Sequence, residues 1–148
     1  MYDTILVPTD GSDEALLGAE HAVDLAASSG GTIHALYVID LPNAPRTPHI
    51  MDDEEEVREE YERYGREVTE EVCAMAADAG VDCETVLRRG AVHEQVVDYA
   101  DEKGMDAIVV GTGYRGKLGS LIGSTAERIV RTATVPVVTV RQTQDDHP

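Results

Sequence analysis

Apolar and polar residues follow two different periods along the chain. Five short runs are mostly apolar and rich in β-branched residues, which is typical of strands buried on both faces of a parallel sheet. The intervals between them repeat apolar residues at three- and four-residue steps, the period of an amphipathic helix. The predicted strands are Thr4–Pro8, Thr32–Val38, Cys83–Leu87, Ala107–Val110 and Val135–Val140, and the predicted helices are Asp13–Ser29, Asp53–Ala79, His93–Glu102 and Ser124–Thr132.

Strand and helix alternate throughout, a pattern that predicts βαβ units. We therefore expect an α/β fold in which a doubly wound, five-stranded parallel sheet lies between helices in an α/β/α sandwich. The length of 148 residues fits one domain, which we place at residues 1–141 with a frayed tail at 142–148. The proline-containing segment Asp40–His49 is the one predicted irregular insertion.

The charge of the chain narrows the classes of partner. Acidic residues number 29 against 12 basic ones, giving a net charge of −17. Such a surface repels nucleic acid and anionic lipid, so neither is expected as a partner. The charge also predicts a halophilic source, because high salt screens self-repulsion. No apolar run reaches the length of a membrane span, and a soluble, cytoplasmic protein is expected.

The cysteines and histidines suggest no metal site. Cys73 and Cys83 lie in different predicted elements without metal-ligand spacing, and we interpret both as reduced structural thiols, with a disulfide as the less favoured alternative. The five histidines are scattered over different elements. No metal ligands and no pair of nucleophile and base are predicted.

A glycine-rich stretch, Gly111–Thr125, joins the fourth strand to the last helix. Glycine lets a phosphate approach backbone N–H groups, and four basic residues between Gly111 and Arg131 locally reverse the acidic charge. A plain turn is the alternative. A P-loop is disfavoured because Leu118 replaces the required Ser or Thr, and a dinucleotide fingerprint because no acid follows about 20 residues later.

Three segments together resemble the universal stress protein family over residues 3–140. They are Ile5–Ser12, the glycine-rich stretch ending in Gly123–Val130, and Val135–Val138. The family's loop pattern is G-x-x-G, nine residues, then G-S or G-T. This chain departs from it at Tyr114, where the second glycine is expected, and its loop is one residue shorter.

The resemblance implies a sheet order of 3-2-1-4-5 and a site for ATP or another adenine nucleotide, with or without magnesium. Ligands of such sheets bind beyond the carboxyl ends of the strands, where the connections reverse. Asp10 and Val38 match the family's nucleoside positions, and the glycine loop would carry the phosphates. The implied binding residues are Pro8, Thr9, Asp10, Val38, Val110, Gly111, Gly113, Arg115, Gly116, Gly123, Ser124 and Thr125.

The resemblance also implies a role in the stress response and a homodimer formed through Val135–Val140. No catalytic residue is predicted, and any enzymatic activity would be at most slow ATP hydrolysis. The alternative function is that of a nucleotide-free, dimeric interaction module of the same family. Tyr114 and the shortened loop favour this alternative, whereas the glycines and the local positive charge favour nucleotide binding.

Three side-chain roles remain open at this point. Ser124 and Glu127 fit a capping box, in which the Ser124 hydroxyl would cap the last helix instead of contacting phosphate. Asp10 would either bind ligand or only shape the turn after Pro8. Arg88 and Arg89 would lie either at the surface or toward the site, and the surface is the favoured interpretation.

Overall fold

The computed structural model describes residues 2–40, 54–113 and 123–143, and these form alternating strands and helices. The alternation follows from the two hydrophobic periods, and it confirms the predicted α/β fold. The elements are β1 (Thr4–Pro8), α1 (Asp13–Ser29), β2 (Thr32–Ile39), α2 (Glu54–Asp78), β3 (Asp82–Arg89), α3 (Val92–Lys103), β4 (Ala107–Thr112), α4 (Ser124–Thr132) and β5 (Val137–Arg141).

The strands form one five-stranded sheet in the order β3-β2-β1-β4-β5, as predicted. All neighbouring pairs are parallel, with Thr4 opposite Thr32 in the β1–β2 pair and Ile5 opposite Ala107 in the β1–β4 pair. The chain leaves β1 toward β2 on one side and later enters β4 on the other side. The direction of winding therefore reverses between β1 and β4, which opens a crevice at their carboxyl ends.

Two apolar layers hold the helices on opposite faces of the sheet. Side chains alternate between the faces of a strand, so Ile5 and Val7 pack with α1 and α2, whereas Leu6 packs with α3 and α4. Ile5, Leu6 and Val7 are fully buried. The strands thus contribute to both layers, which explains why their sequences are apolar without alternation.

The ends of α1 follow local signals, whereas other ends differ from their predicted positions, among them those of β3, β5 and β4, which extends to Thr112 instead of Val110. Helix α1 begins after Ser12, whose Oγ accepts from the N–H of Ala15, and ends at Gly30 in the left-handed conformation. Strand β5 begins at Val137 instead of the predicted Val135, and Pro136, which has no N–H, precedes it. Strand β3 extends beyond its predicted end at Leu87, because β2 continues far enough to pair with Arg88 and Arg89.

The prediction of two reduced thiols is wrong. Cys73 of α2 and Cys83 of β3 form a disulfide, with Cα atoms 5.3 Å apart. The turn around Gly80 reverses the chain between these two elements and brings the cysteines together beside the core. The disulfide closes a short loop, since the sequence separation is 10.

Helix α2 begins with a run of acidic residues. Glu55, Glu56, Glu59 and Glu60 are exposed, so this part of the helix presents negative charge to solvent. None of the helices in the described ranges combines the length and hydropathy needed to cross a membrane. Gln142, where the tail was predicted to begin, is buried and its N–H donates to the Thr112 carbonyl; residues 144–148 lie outside the described part.

Candidate functional site

A cavity of about 440 Å³ opens at the carboxyl ends of β1 and β4. It lies at the crevice where the winding of the sheet reverses. The loop after β1, the ends of β2 and β4, and the first turns of α1 and α4 form its wall. Sites at this place in parallel sheets receive small ligands because several strand ends and helix N-termini converge there.

The structure brings most of the predicted site residues onto this wall. Arg115 and Gly116 lie outside the described residues, as does Tyr114. The predicted residues that line the cavity are Pro8, Thr9, Asp10, Val38, Val110, Gly111, Gly113, Gly123, Ser124 and Thr125. Residues separated by more than 100 positions in the chain therefore share one cavity.

One half of the cavity wall is apolar. It is formed by side chains on the α3–α4 face of the sheet and by those two helices, which extend the core up to the opening. The residues concerned are Leu36, Val38, Val92, Val110, Ala126 and Ile129. Sequence analysis identified Val38 and Val110 but missed the others, because their apolar pattern is that of ordinary core positions.

The turn after β1 is held by a set of hydrogen bonds around Asp10. Its Oδ1 accepts from the backbone N–H of Ser12 at 2.9 Å and from the Ser12 hydroxyl at 2.5 Å. The Tyr64 hydroxyl of α2 donates to the Asp10 carbonyl at 2.6 Å. Asp10 thus shapes the turn and also lies on the cavity wall, so the two roles considered from the sequence are compatible.

The N-terminus of α4 faces the cavity without a side-chain cap. The N-cap residue is Gly123, not Ser124, and within the described ranges no side chain bonds to the first turn. The capping-box prediction is therefore wrong: Ser124 is the first helical residue, and Glu127 instead pairs with Arg131 at 2.6 Å. The N–H groups of Ser124 and Thr125 belong to the set that a helix leaves without intrahelical partners.

The glycines at the end of β4 have different surroundings. A Cβ on Gly111 would overlap the carbonyl oxygen of Glu14, because the first turn of α1 packs directly against this strand. Among the described residues, a Cβ on Gly113 would meet only the Glu14 carboxylate, at 3.9 Å. Gly111 is therefore required by helix packing, whereas Gly113 leaves space on the cavity side.

The charged residues in the described part of the cavity wall are acidic. Asp10 and Glu14 contribute carboxylates, and the lining residues of the described ranges include no Lys or Arg. Arg88 and Arg89 lie away from the cavity and pair with Glu102 and Glu62 at 2.8 and 2.6 Å, so the surface interpretation is confirmed.

Two further polar residues line the cavity. Burial, with smaller contributions from Tyr64, Tyr61 and Asp10, raises the pKa of Tyr37, which keeps its phenol neutral at physiological pH. The Thr112 hydroxyl is buried and has no hydrogen-bond partner among the described residues. In the same ranges no three His, Cys, Asp or Glu side chains are grouped so as to hold a metal ion.

Comparison with known proteins identifies the family to which the chain belongs. The model of the universal stress protein family matches residues 1–141. A universal stress protein of Methanocaldococcus jannaschii is 34% identical over 143 residues, covering 96% of this chain and 84% of the relative. A universal stress protein family structure from Burkholderia pseudomallei superimposes with a TM-score of 0.77 at 30% identity, covering 94% of this chain and 96% of that one.

A third similar protein was solved with a ligand. It is a universal stress protein in complex with cAMP, with a TM-score of 0.68 and 26% identity over 95% of this chain and 97% of that one. Sequence, fold and the match of the family model over nearly the whole length agree. The chain therefore belongs to the universal stress protein family.

Proposed function

We propose that the cavity binds an adenine nucleotide, with the base in its apolar half and the phosphates at the N-terminus of α4. The observation that carries this proposal is the first turn of α4, which no side chain of the described residues caps and which lies at the edge of an apolar pocket. Free N–H groups and the helix dipole favour an anion at such an end. The apolar side chains Leu36, Val38 and Val92 offer a surface for a planar base.

The identity of the nucleotide is the finer part of the proposal. ATP is the ligand that the family resemblance implies, and the complex of a similar protein with cAMP supports an adenine nucleotide as the ligand class. Magnesium carried by a triphosphate prefers carboxylate and phosphate oxygens, so the Glu14 carboxylate is its candidate ligand on this wall. Arg115 and Gly116 are proposed to contact the phosphates. The role is that of a cytoplasmic stress-response module with at most slow ATP hydrolysis.

Replacing Asp10 with Asn is expected to weaken nucleotide binding about tenfold, because a hydrogen bond to a charged group contributes about 1.5–3 kcal/mol. The stability of the fold should change little. Asparagine keeps an oxygen for the two Ser12 bonds but loses the charge available to a ribose hydroxyl. Calorimetric titration with ATP, AMP and cAMP measures the dissociation constants. Asp13→Asn is the matched control, because Asp13 is exposed and does not line the cavity.

The titration also decides between the two functions considered. Saturable binding that Asp10→Asn weakens and Asp13→Asn leaves unchanged supports a nucleotide-binding module. If none of the three nucleotides binds to the folded wild-type protein at millimolar concentration, the nucleotide proposal is refuted. The nucleotide-free interaction module would then be the remaining function.

We further propose that the protein forms a homodimer through β5, which lies at the edge of the sheet. The Pro136 carbonyl accepts from Ile108 of β4, so by alternation the backbone of Thr139 points away from the sheet. Outward backbone groups of an edge strand pair readily with a second strand. The proposed contact includes the predicted segment Val135–Val140.

The Thr139→Pro variant is expected to be monomeric, because proline removes an outward N–H without affecting the bonds to β4. Light scattering after size-exclusion chromatography gives the molar mass. Thr139→Val, which keeps the N–H and the β-branched shape, is the control and should remain dimeric. A wild-type monomer, or a dimer in all three proteins, would contradict the proposed interface.

A further inference from the structure

Glu14 places a carboxylate on the cavity wall at the end of β4, where the glycine-rich stretch begins. Its side chain lies beside Gly113, with Oε1 3.9 Å from the position that a Cβ of Gly113 would occupy. Glu14 is half-buried, and within the described part of the chain no hydrogen bond or ion pair engages its carboxylate. A phosphate chain that reaches this part of the wall would lie close to its negative charge.

The fixed charges that described residues contribute to this wall are the carboxylates of Asp10 and Glu14. The N-termini of α1 and α4 each add a partial positive charge of about one half. A monophosphate has one group to place at the end of α4. Without a metal ion, the additional phosphates of ATP are repelled by a carboxylate on the wall, so the Glu14 charge acts more strongly on polyphosphates than on monophosphates.

We propose that Glu14 is a specificity-determining residue that lowers the affinity of the site for metal-free polyphosphates relative to adenosine monophosphates. This inference rests on the proposed nucleotide function and adds a residue that sets the relative affinity for the two classes of nucleotide. The effect acts on the phosphates, because the base is proposed to lie against the apolar side chains Leu36, Val38 and Val92.

The competing explanation is that Glu14 only stabilises α1. Acidic residues are favoured in the first turn of any helix, and both Asp13 and Glu14 occupy that turn. Asp13, however, is exposed and does not line the cavity. The two residues therefore share the helix-dipole effect and differ in their position relative to the ligand, which makes Asp13 a matched control.

The size of the effect follows from Coulomb's law. Two unit charges about 6 Å apart in water change an affinity by a factor of about three. ATP carries about two more negative charges than AMP, so loss of the Glu14 charge should raise the ratio of ATP affinity to AMP affinity about tenfold. At 1 M salt the screening length is about 3 Å, and the change should fall below about twofold.

The test is calorimetric titration of wild type, Glu14→Gln and Asp13→Asn with AMP and with ATP, in EDTA at 0.15 M and 1 M KCl. Glu14→Gln should raise the ATP-to-AMP affinity ratio about tenfold at the lower salt concentration, and Asp13→Asn should leave it within about twofold. Thermal unfolding of the two variants compares their effects on α1.

Each outcome has a distinct meaning. A ratio that rises in Glu14→Gln but not in Asp13→Asn supports the inference. If AMP binds normally and the two variants give the same ratio, Glu14 acts only on the helix, and the inference is overturned while the proposed function stands. If neither nucleotide binds to any of the three proteins, the proposed function fails and the inference fails with it.

Discussion

The Gly111→Ala variant is expected to lose roughly 3 kcal/mol of unfolding free energy, since forcing a methyl group into a packed site typically costs about 1–3 kcal/mol and a backbone obstacle cannot rotate away. The added Cβ would overlap the carbonyl oxygen of Glu14. Gly18 of α1 packs against the same strand, and a Cβ on Gly18 would lie 2.7 Å from the Gly111 nitrogen. A shift of α1 that makes room for the methyl group would therefore open this close contact. Chemical denaturation followed by circular dichroism measures the loss.

The Gly113→Ala variant is the control for this prediction. Its Cβ would meet nothing nearer than the Glu14 carboxylate, at 3.9 Å, and its stability should stay within about 0.5 kcal/mol of wild type. Equal losses in the two variants would mean that the packing of α1 against β4 is not what requires glycine at position 111. A selective loss would separate the structural glycine from the one that borders the cavity.

Removal of the disulfide is expected to lower the unfolding free energy by about 2–3 kcal/mol, because the closed loop restricts the unfolded chain. The estimate follows from the sequence separation of 10 between Cys73 and Cys83. Thermal unfolding of wild type with and without reductant measures the change. The disulfide joins α2 to the edge strand β3.

A Cys73→Ala/Cys83→Ala double variant shows whether the reductant acts through this bond. Its melting temperature should be insensitive to reductant and should lie near that of reduced wild type. Mass spectrometry after thiol alkylation establishes the oxidation state before each measurement. Oxidised wild type that melts at the same temperature as the double variant would contradict a stabilising role of the disulfide.

Local signals were sufficient for the fold and for much of the site. Helix α1 was predicted at its observed bounds because Ser12 caps it through its own hydroxyl and Gly30 ends it, and both effects act within one turn of the chain. The alternation of strands and helices specified a doubly wound sheet. Asp10 follows β1 and Gly111 lies near the end of β4, and the carboxyl ends of these two strands lie together in such a sheet.

Other features of the fold and the site could not be predicted from local sequence patterns. The sequence by itself determined the elements, the parallel sheet and the family, because the hydrophobic period, the helix caps and the motifs each depend on residues that are close together in the chain. Only the tertiary structure decided that Cys73 and Cys83 form a disulfide, that Gly123 and not Ser124 caps α4, and that Glu14 borders the cavity. The N-cap of α4 depends on the backbone conformation at Gly123. The disulfide and the position of Glu14 depend on how one element packs against another, because packing brings together residues that are far apart in the sequence.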